Sequence, residues 1–499
     1  MLLSELIENI DITGMSKGIN QKAKITGICY NSSVAIQGEL FVAIKGLIND
    51  GHDFIEDAIK KGVSCVICEV PPKTQCQYIT VTDTRVALAL VSAAWFGNPA
   101  KKMKFIGVTG TNGKTSCTYL IKHIIEKCCN SKVGLIGTIG NIIGEREIAA
   151  SLTTPDSYEL QSILAKMALE GCLYVVMEVS SHALYLSRVY GIDFEIGIFT
   201  NLSPEHLDFH KNMEEYARVK ATLFNKCKHS VINIDDKYSN LMIQNSTGTV
   251  TTYGVENAQA ELIANEVKLY PDKVEFYAVS EAKRNFIKVH LPGLFTVYNS
   301  LAVMAAMLKL GFDEESIADS LSTCQGIKGR AEVLKTGCDF TIIVDYAHTP
   351  DALRNIISAA RTQTTNKVIT LFGCGGDRDK SKRPVMGKIS TEMSELTIIT
   401  SDNPRTEDPQ SIINDILEGI EDKHDGITSE KYIVISDRKI AICTAIDILR
   451  TGDVLIIAGK GHETYQIHGK NKIHFDDREI ADQHLLSIRK SKRNQRMKG

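Results

Sequence analysis

Nowhere in the 499 residues does an uncharged apolar run approach the roughly 18 residues that a membrane helix needs, and the opening MLLSELIENI breaks its own apolar residues with glutamates. The expectation is therefore a cytoplasmic protein without a membrane span. An excess of one charge is missing too. Lys and Arg number 57 against 60 Asp and Glu, a formal net charge of −3, so no global field favours nucleic acid or a membrane surface. The basic tail RKSKRNQRMKG reads as a solvated, frayed terminus. The 13 cysteines lack the spacing of a disulfide or zinc framework. The lone CxxC, Cys65 to Cys68 in VSCVICEV, reads as a buried strand whose residues three apart point to opposite faces. GxGxxG is absent, which removes a dinucleotide reading of the glycine-rich GCGGDRD.

What is present is an ordinary globular composition, 43% hydrophobic, on a chain too long for one core. Three α/β domains are expected: residues 1–101, 102–336 and 337–499. The first alternates short strands and helices up to the polar linker NPAKKMK. The second alternates strands and helical patterns as a doubly wound sheet does. In the third, FTIIVDYAH, KVITLFGCGG, LTIITSDNPR and DVLIIAGKGHE each end in Gly, Asp or charged residues, the mark of a Rossmann-like unit with its working edge at the strand ends.

The chain is organised around Lys104 to Ser116, KFIGVTGTNGKTS. An apolar strand feeding a Gly-rich turn and a helix gathers backbone N–H groups around one concavity, where a polyphosphate sits on a helix N-terminus. Gly110, Thr111, Asn112, Gly113, Lys114, Thr115 and Ser116 are the candidate ATP-binding residues, with Lys114 reaching the outer phosphates and Thr115 a magnesium ion. The loop is a variant: the strict P-loop glycine six positions before the lysine is Val108 here. Two further strands end in polar clusters. LYVVMEVSSHAL presents Glu178, Ser180, Ser181 and His182, and IGIFTNLSPEHLDFH presents Asn201, His206 and Asp208, all beyond the carboxyl ends of strands where ligands bind in open α/β sheets.

The variant GTNGKT, followed in order by NLSPEHLDFH, EEYARVKATLF, GRAE, DYAHTPDAL, GGDRDKSKRP, DNPR and GKGHE, resembles the ATP-dependent Mur ligases that build the peptide stem of bacterial peptidoglycan. The resemblance covers nearly the whole chain and implies an ADP-forming acid–amino-acid ligase working through an acyl phosphate. It implies Glu178 with Thr115 at one magnesium ion, His206 at a second, and Lys220, as the carbamate N6-carboxylysine, as a further magnesium ligand. Lys114, Lys220 and His206 become the catalytic set. Arg330, Asp345 and His348 are placed near ATP. Ser32, in YNSSVAIQGELFVA, is placed at the uridine nucleotide, although Asn31 and Ser33 replace the family's Asp and Arg. Thr153, Thr154, Ser181 and Arg188 are matched to the peptide of that nucleotide, and Arg378, Asp402, Asn403, Pro404, Arg405, Gly459 and Glu463 to the incoming amino acid.

In this family the fourth position of the DNPR motif is arginine in members that add diaminopimelate and usually neutral in those that add lysine. Arg405 therefore implies transfer of meso-2,6-diaminopimelate to UDP-N-acetylmuramoyl-L-alanyl-D-glutamate, by a monomer that engages neither nucleic acid nor membrane. The alternatives are the L-lysine-adding counterpart, a folyl-polyglutamate synthetase-like ligase and, from another class, a P-loop switch or motor. The last finds no support in internal repeats or coiled-coil heptads.

Overall fold

The computed structural model describes residues 1–281, 283–362, 364–420 and 430–496, with side chains through 490. Three major sheets follow one another along the chain. The first is five-stranded, in the spatial order Ile12–Met15, Tyr78–Val81, Cys65–Cys68, Leu40–Val42 and Ile28–Cys29, and is parallel but for its first strand. All of Cys65–Cys68 is buried, with Cys65 and Ile67 in one apolar cluster and Val66 and Cys68 in another. The two cysteines do point to opposite faces, as the strand period of two requires.

The second sheet has eleven strands. At its centre Lys104–Thr109 lies parallel between Phe194–Phe199 and Tyr174–Glu178. These strands are buried over nearly their whole length because helices cover both faces. On one side helix Lys114–Cys129 buries Cys117, Leu120, Ile121, Ile124 and Ile125; on the other, helices Ser157–Leu169 and Met213–Ala221 contribute Leu160, Leu164, Tyr216 and Ala217. The simple alternation of strand and helix expected for this region fails at both edges: Asn141–Ile143 and Arg146–Ile148 turn back antiparallel beside Val133–Ile136 at one, and Leu262–Leu269, Val274–Val279 and Arg284–Val289 form an antiparallel meander at the other. Val274–Val279 alternates buried and half-buried residues, a period-two pattern with one face under helix Leu294–Lys309 that needs no crossover helix.

The third sheet runs Glu332–Val333, Thr341–Asp345, Val454–Ala458, Val368–Phe372, Leu396–Ile399 and Tyr432–Val434, parallel but for the first pair. That first strand lies upstream of residue 337. Inserting Val454–Ala458 between the strands before DYAH and GCGG brings DYAH, GCGG, DNPR and GKGHE to one edge. Buried Arg438 grips Asp477 with both ends of its guanidinium (2.8 and 2.7 Å) and donates to the Ala458 carbonyl at 2.9 Å, tying two helices to strand Val454–Ala458.

The C-terminal helix Asp477–Arg496 departs from the frayed tail expected. Ala481 and Leu485 anchor it in the core, and its backbone carries the basic stretch to Arg496. Residues 497–499 lie outside the described residues. No helix among the described residues is long and apolar enough to cross a membrane.

Candidate active site

Residues 110–113 leave the central strand as a tight loop with Gly110 at φ +147° and Gly113 at φ +87°. A Cβ at Gly110 would lie 1.9 Å from Thr200 Oγ1, and one at Gly113 2.5 Å from Asn299 Oδ1, so backbone strain and close approach both demand glycine. The neighbouring strand end holds the loop open. Thr111 N donates to the Asn201 carbonyl (2.8 Å), Asn112 N to Asn201 Oδ1 (2.9 Å), and Thr200 Oγ1 to the Asn112 carbonyl (2.6 Å). Lys114 Nζ folds back onto the carbonyls of Gly110 (2.9 Å) and Thr111 (2.8 Å). Burial lowers its pKa, against the opposing pull of Glu205 and Glu178.

Glu178, 1% exposed, accepts from Thr115 Oγ1 at 2.9 Å, Thr138 N at 2.9 Å and Thr138 Oγ1 at 3.1 Å. Arg330 Nη2 reaches the same Thr115 hydroxyl at 2.9 Å. Lys220, also 1% exposed, comes from helix Met213–Ala221 and donates to the Gly110 carbonyl at 2.9 Å. Burial first, and then the charge of Lys114, push its pKa well below the usual lysine value. His206, in the left-handed region at φ +56°, packs edge-on against His182 at 4.8 Å, and burial lowers its pKa to about 4. Among the described residues no three or more His, Cys, Asp or Glu side chains form a metal-holding group.

Asp345 accepts from the backbone N–H of Ala331 (2.6 Å) and Ala347 (2.7 Å), and Arg330 stacks on Tyr346 at 4.6 Å. His348 Nε2 meets Glu205 Oε1 at 3.3 Å. Burial alone would raise the Glu205 carboxyl, but the bond to His348 and the charges of His206, His348 and Lys114 hold it below the carboxylate range. Asn112 Nδ2 donates to Asp351 Oδ2 at 2.9 Å across 239 residues of chain. Between these contacts lies a cavity of about 360 Å³ lined by Asn112, Gly113, Ser116, Arg330, Asp345 and Asp351 among others.

A second cavity, of about 500 Å³, opens between the first sheet and the second and is lined by Tyr30, Ser32, Arg85, Asp156 and Arg188. Arg188 Nε pairs with Asp156 Oδ1 at 2.7 Å, and its Nη1 donates to the Thr154 carbonyl at 3.0 Å. Thr153 Oγ1 lies 3.1 Å from Thr138 Oγ1, and Ser181 Oγ 3.0 Å from His210 Nε2. Asn31, in place of the family's Asp, accepts from Ser33 N at 3.0 Å and so caps the turn that presents Ser32.

In the third unit Asn403 Nδ2 donates to Glu463 Oε2 (2.8 Å), which Lys460 Nζ also reaches at 3.0 Å. Asp402 Oδ2 is buried without a hydrogen-bond partner among the described residues. A Cβ at Gly459 would lie 2.7 Å from that atom. Arg405 Nη1 donates to the Gly376 carbonyl at 2.6 Å, and the Pro404 carbonyl packs against Gly376. A Cβ on Gly375 would lie 2.9 Å from Arg405 Nη1 and 4.0 Å from Arg378 Cγ, so the two arginines flank one backbone position.

Sequence reading missed Glu205, Thr138, Arg85, Lys460 and Asp351. Glu205 stands beside His206 just past a strand end and could have been singled out. Asp351 gave no signal, because an acid in the first turn of a helix is the ordinary complement to its dipole.

A glycine-rich loop on the parallel centre of a mixed sheet, faced by a third unit whose strand ends combine acids and guanidinium groups, is the arrangement of an ATP-dependent ligase that joins a carboxylate to an amine. Three family models match in order: "Mur ligase family, catalytic domain" at residues 24–100, "Mur ligase middle domain" at 108–307 and "Mur ligase, glutamate ligase domain" at 329–461. Two curated relatives carry the name UDP-N-acetylmuramoyl-L-alanyl-D-glutamate--2,6-diaminopimelate ligase. That of Caldanaerobacter subterraneus subsp. tengcongensis is 47% identical over 94% of this chain and 97% of its own. That of Clostridioides difficile is 45% identical over 98% and 100%. A solved structure with the same name aligns at a TM-score of 0.70 and 31% identity over 98% of this chain and 99% of that one. MurF ligase from Thermotoga maritima in complex with ADP shares the fold, at a TM-score of 0.59 and 18% identity over 96% and 100%. The chain belongs to the Mur ligase family.

Proposed function

We propose that this ligase joins meso-2,6-diaminopimelate to the D-glutamyl carboxylate of UDP-N-acetylmuramoyl-L-alanyl-D-glutamate, converting ATP to ADP and phosphate. The observation that carries the choice of amino acid is Arg405, held beside Arg378 on the loop that also carries Asp402 and Asn403, the latter bonded to Glu463. Meso-diaminopimelate differs from lysine by a carboxylate at the far end, and a fork-shaped guanidinium grips such a group through both oxygens. Asp402 and Glu463 supply the negative charge that an amino group requires. The names of the relatives support the same substrates.

A carboxylate is a poor acyl donor, because its charge repels the amine and its oxygen leaves badly. Transfer of the γ-phosphoryl group to that carboxylate gives an acyl phosphate; the amine then attacks its carbonyl carbon and phosphate departs. Lys114 neutralises charge during the transfer. Arg330, Asp345 and His348 border the nucleotide, and closure of the third unit over the loop keeps water from the acyl phosphate. The cavity containing Ser32 and Arg188 takes the uridine nucleotide, with Thr153, Thr154 and Ser181 along its peptide. Residues 1–101, 102–336 and 337–499 thus serve the nucleotide substrate, ATP and the amino acid in turn. One chain lines both cavities and carries the Arg405 loop, in keeping with a monomer, and the soluble substrates are in keeping with the cytoplasm.

The donor set fits magnesium: Glu178 is a buried carboxylate held by neutral donors next to a hydroxyl, the hard oxygen ligation this ion prefers. Thr115 and Glu178 would hold one ion, and His206 with carbamylated Lys220 another. Bound there, magnesium would neutralise phosphate charge. His206, its pKa lowered by burial, keeps an imidazole nitrogen free to ligate. Burial, and then the charge of Lys114, lower the pKa of Lys220, which favours the neutral amine; in that form it can attack carbon dioxide through its nitrogen lone pair and release a proton to become the carbamate. Lys220→Ala is expected to be inactive and to recover part of its activity in high bicarbonate or a short-chain carboxylic acid. Full activity without any additive would return Lys220 to a structural role.

The assignment as a whole is tested by incubating the protein with the uridine dipeptide nucleotide, ATP, magnesium and a panel of amino acids, and weighing the products. A mass increase corresponding to diaminopimelate is expected. ATP turnover that does not depend on an amino acid would refute the ligase reading.

A further inference from the structure

Arg383 is fully buried, and although it lies within the GGDRDKSKRP stretch, the resemblance matches Arg378 alone of that stretch to the amino acid. It sits in the first turn of helix Lys382–Met393. Its Nη1 and Nη2 donate to Glu407 Oε2 and Oε1, each at 2.9 Å, and Nη1 also reaches Asp415 Oδ2 at 2.7 Å. Nη2 reaches the Gly375 carbonyl at 3.2 Å. Every partner belongs to one of the two loops that carry Arg378 and Arg405, or to helix Pro409–Leu417 behind them.

Glu407, two positions after Arg405, passes the contact on by accepting from Asp377 N at 2.7 Å. Its carboxyl is lowered to about 2, chiefly by the hydrogen bonds from Arg383. Around this centre Thr406 Oγ1 donates to Asp377 Oδ1 at 2.6 Å, and Gly376 N to the Asn403 carbonyl at 2.9 Å. Lys380 adds a more exposed ion pair to Glu407 at 3.2 Å.

We infer that Arg383 is a positioning residue for amino-acid selection: it fixes residues 375–378 against residues 403–407 and thereby sets where the Arg405 and Arg378 guanidinium groups stand relative to the distal carboxylate of the amino acid. The inference rests on the proposed use of diaminopimelate. A buried guanidinium bridging two carboxylates and a carbonyl cannot be replaced by a lysine, whose ammonium is a point charge without the fork geometry. A displacement of about 1 Å at a binding group costs on the order of a hundredfold.

The test measures kcat and KM for meso-diaminopimelate, L-lysine and ATP in the unmutated enzyme, Arg383→Lys and Glu407→Gln, with thermal melts of each. For both variants KM for meso-diaminopimelate is expected to rise at least roughly tenfold and its advantage over L-lysine to shrink, while KM for ATP stays unchanged. Glu407→Gln keeps the shape of the side chain and carries the test where Arg383→Lys fails to fold. Lower melting temperatures with an unaltered preference and an unaltered KM for diaminopimelate would overturn the inference and leave Arg383 a structural residue. If the unmutated enzyme adds no diaminopimelate, the substrate reading itself falls, and the inference with it.

Discussion

Lys114→Ala is expected to abolish ligation, by roughly a hundredfold or more, while leaving the fold intact. The ammonium lies buried among the loop carbonyls of Gly110 and Thr111, where the phosphates of ATP would meet it. Removing one such preorganised electrostatic group from a water-poor site typically costs two to three orders of magnitude, or about 3–4 kcal/mol of transition-state stabilisation. The fold does not depend on it, because the loop is pinned independently by Thr200 and Asn201 and the helix behind it by Leu120, Ile121 and Ile124. Product formation measured beside circular dichroism and a thermal melt separates the two effects. Near-normal ligation by the variant would sink the assignment of this loop to ATP.

Discrimination against L-lysine should be on the order of a thousandfold in the unmutated enzyme and should largely disappear in Arg405→Ala. A site built to pair a carboxylate leaves its guanidinium unpaired when lysine binds, and the desolvated mismatch costs several kcal/mol. The position is itself constrained. Arg405 is in the left-handed region at φ +51°, an arrangement that costs about 1–3 kcal/mol for a non-glycine residue. Backbone bonds on both sides hold it there: Arg405 N donates to the Ile467 carbonyl at 3.0 Å, and Gly469 N to the Arg405 carbonyl at 2.7 Å. Alanine keeps that backbone, so the loss reports the guanidinium. The measurement is kcat/KM for each amino acid together with ATP affinity, which should not change. Equal or better use of L-lysine by the unmutated enzyme would refute the diaminopimelate assignment and leave the ligase class standing.

The sequence by itself determined the elements and the chemistry that lies within them. Continuous apolar runs such as FIGVT and YVVM specify strands buried on both faces, and GTNGKT specifies a tight glycine loop before a helix, because loop geometry is local and depends on glycine at set positions. The order of the motifs also identified the family. The antiparallel meander from Leu262 to Val289 was misjudged, since a period-two pattern says which face is buried but not whether the next strand returns directly. Tertiary structure alone decided which strand ends meet. The insertion of Val454–Ala458 beside Thr341–Asp345 brings GKGHE to DNPR, and the docking of the third unit on the second brings Asp351 to Asn112 and His348 to Glu205. It also decided the burial of Lys220, whose spacing in EEYARVKATLF equally suits a solvated helix face. Only packing beneath the loop, which removes water from the ammonium and sets it near Lys114, depresses its pKa; desolvation comes from neighbours distant in the chain, and no local pattern encodes it.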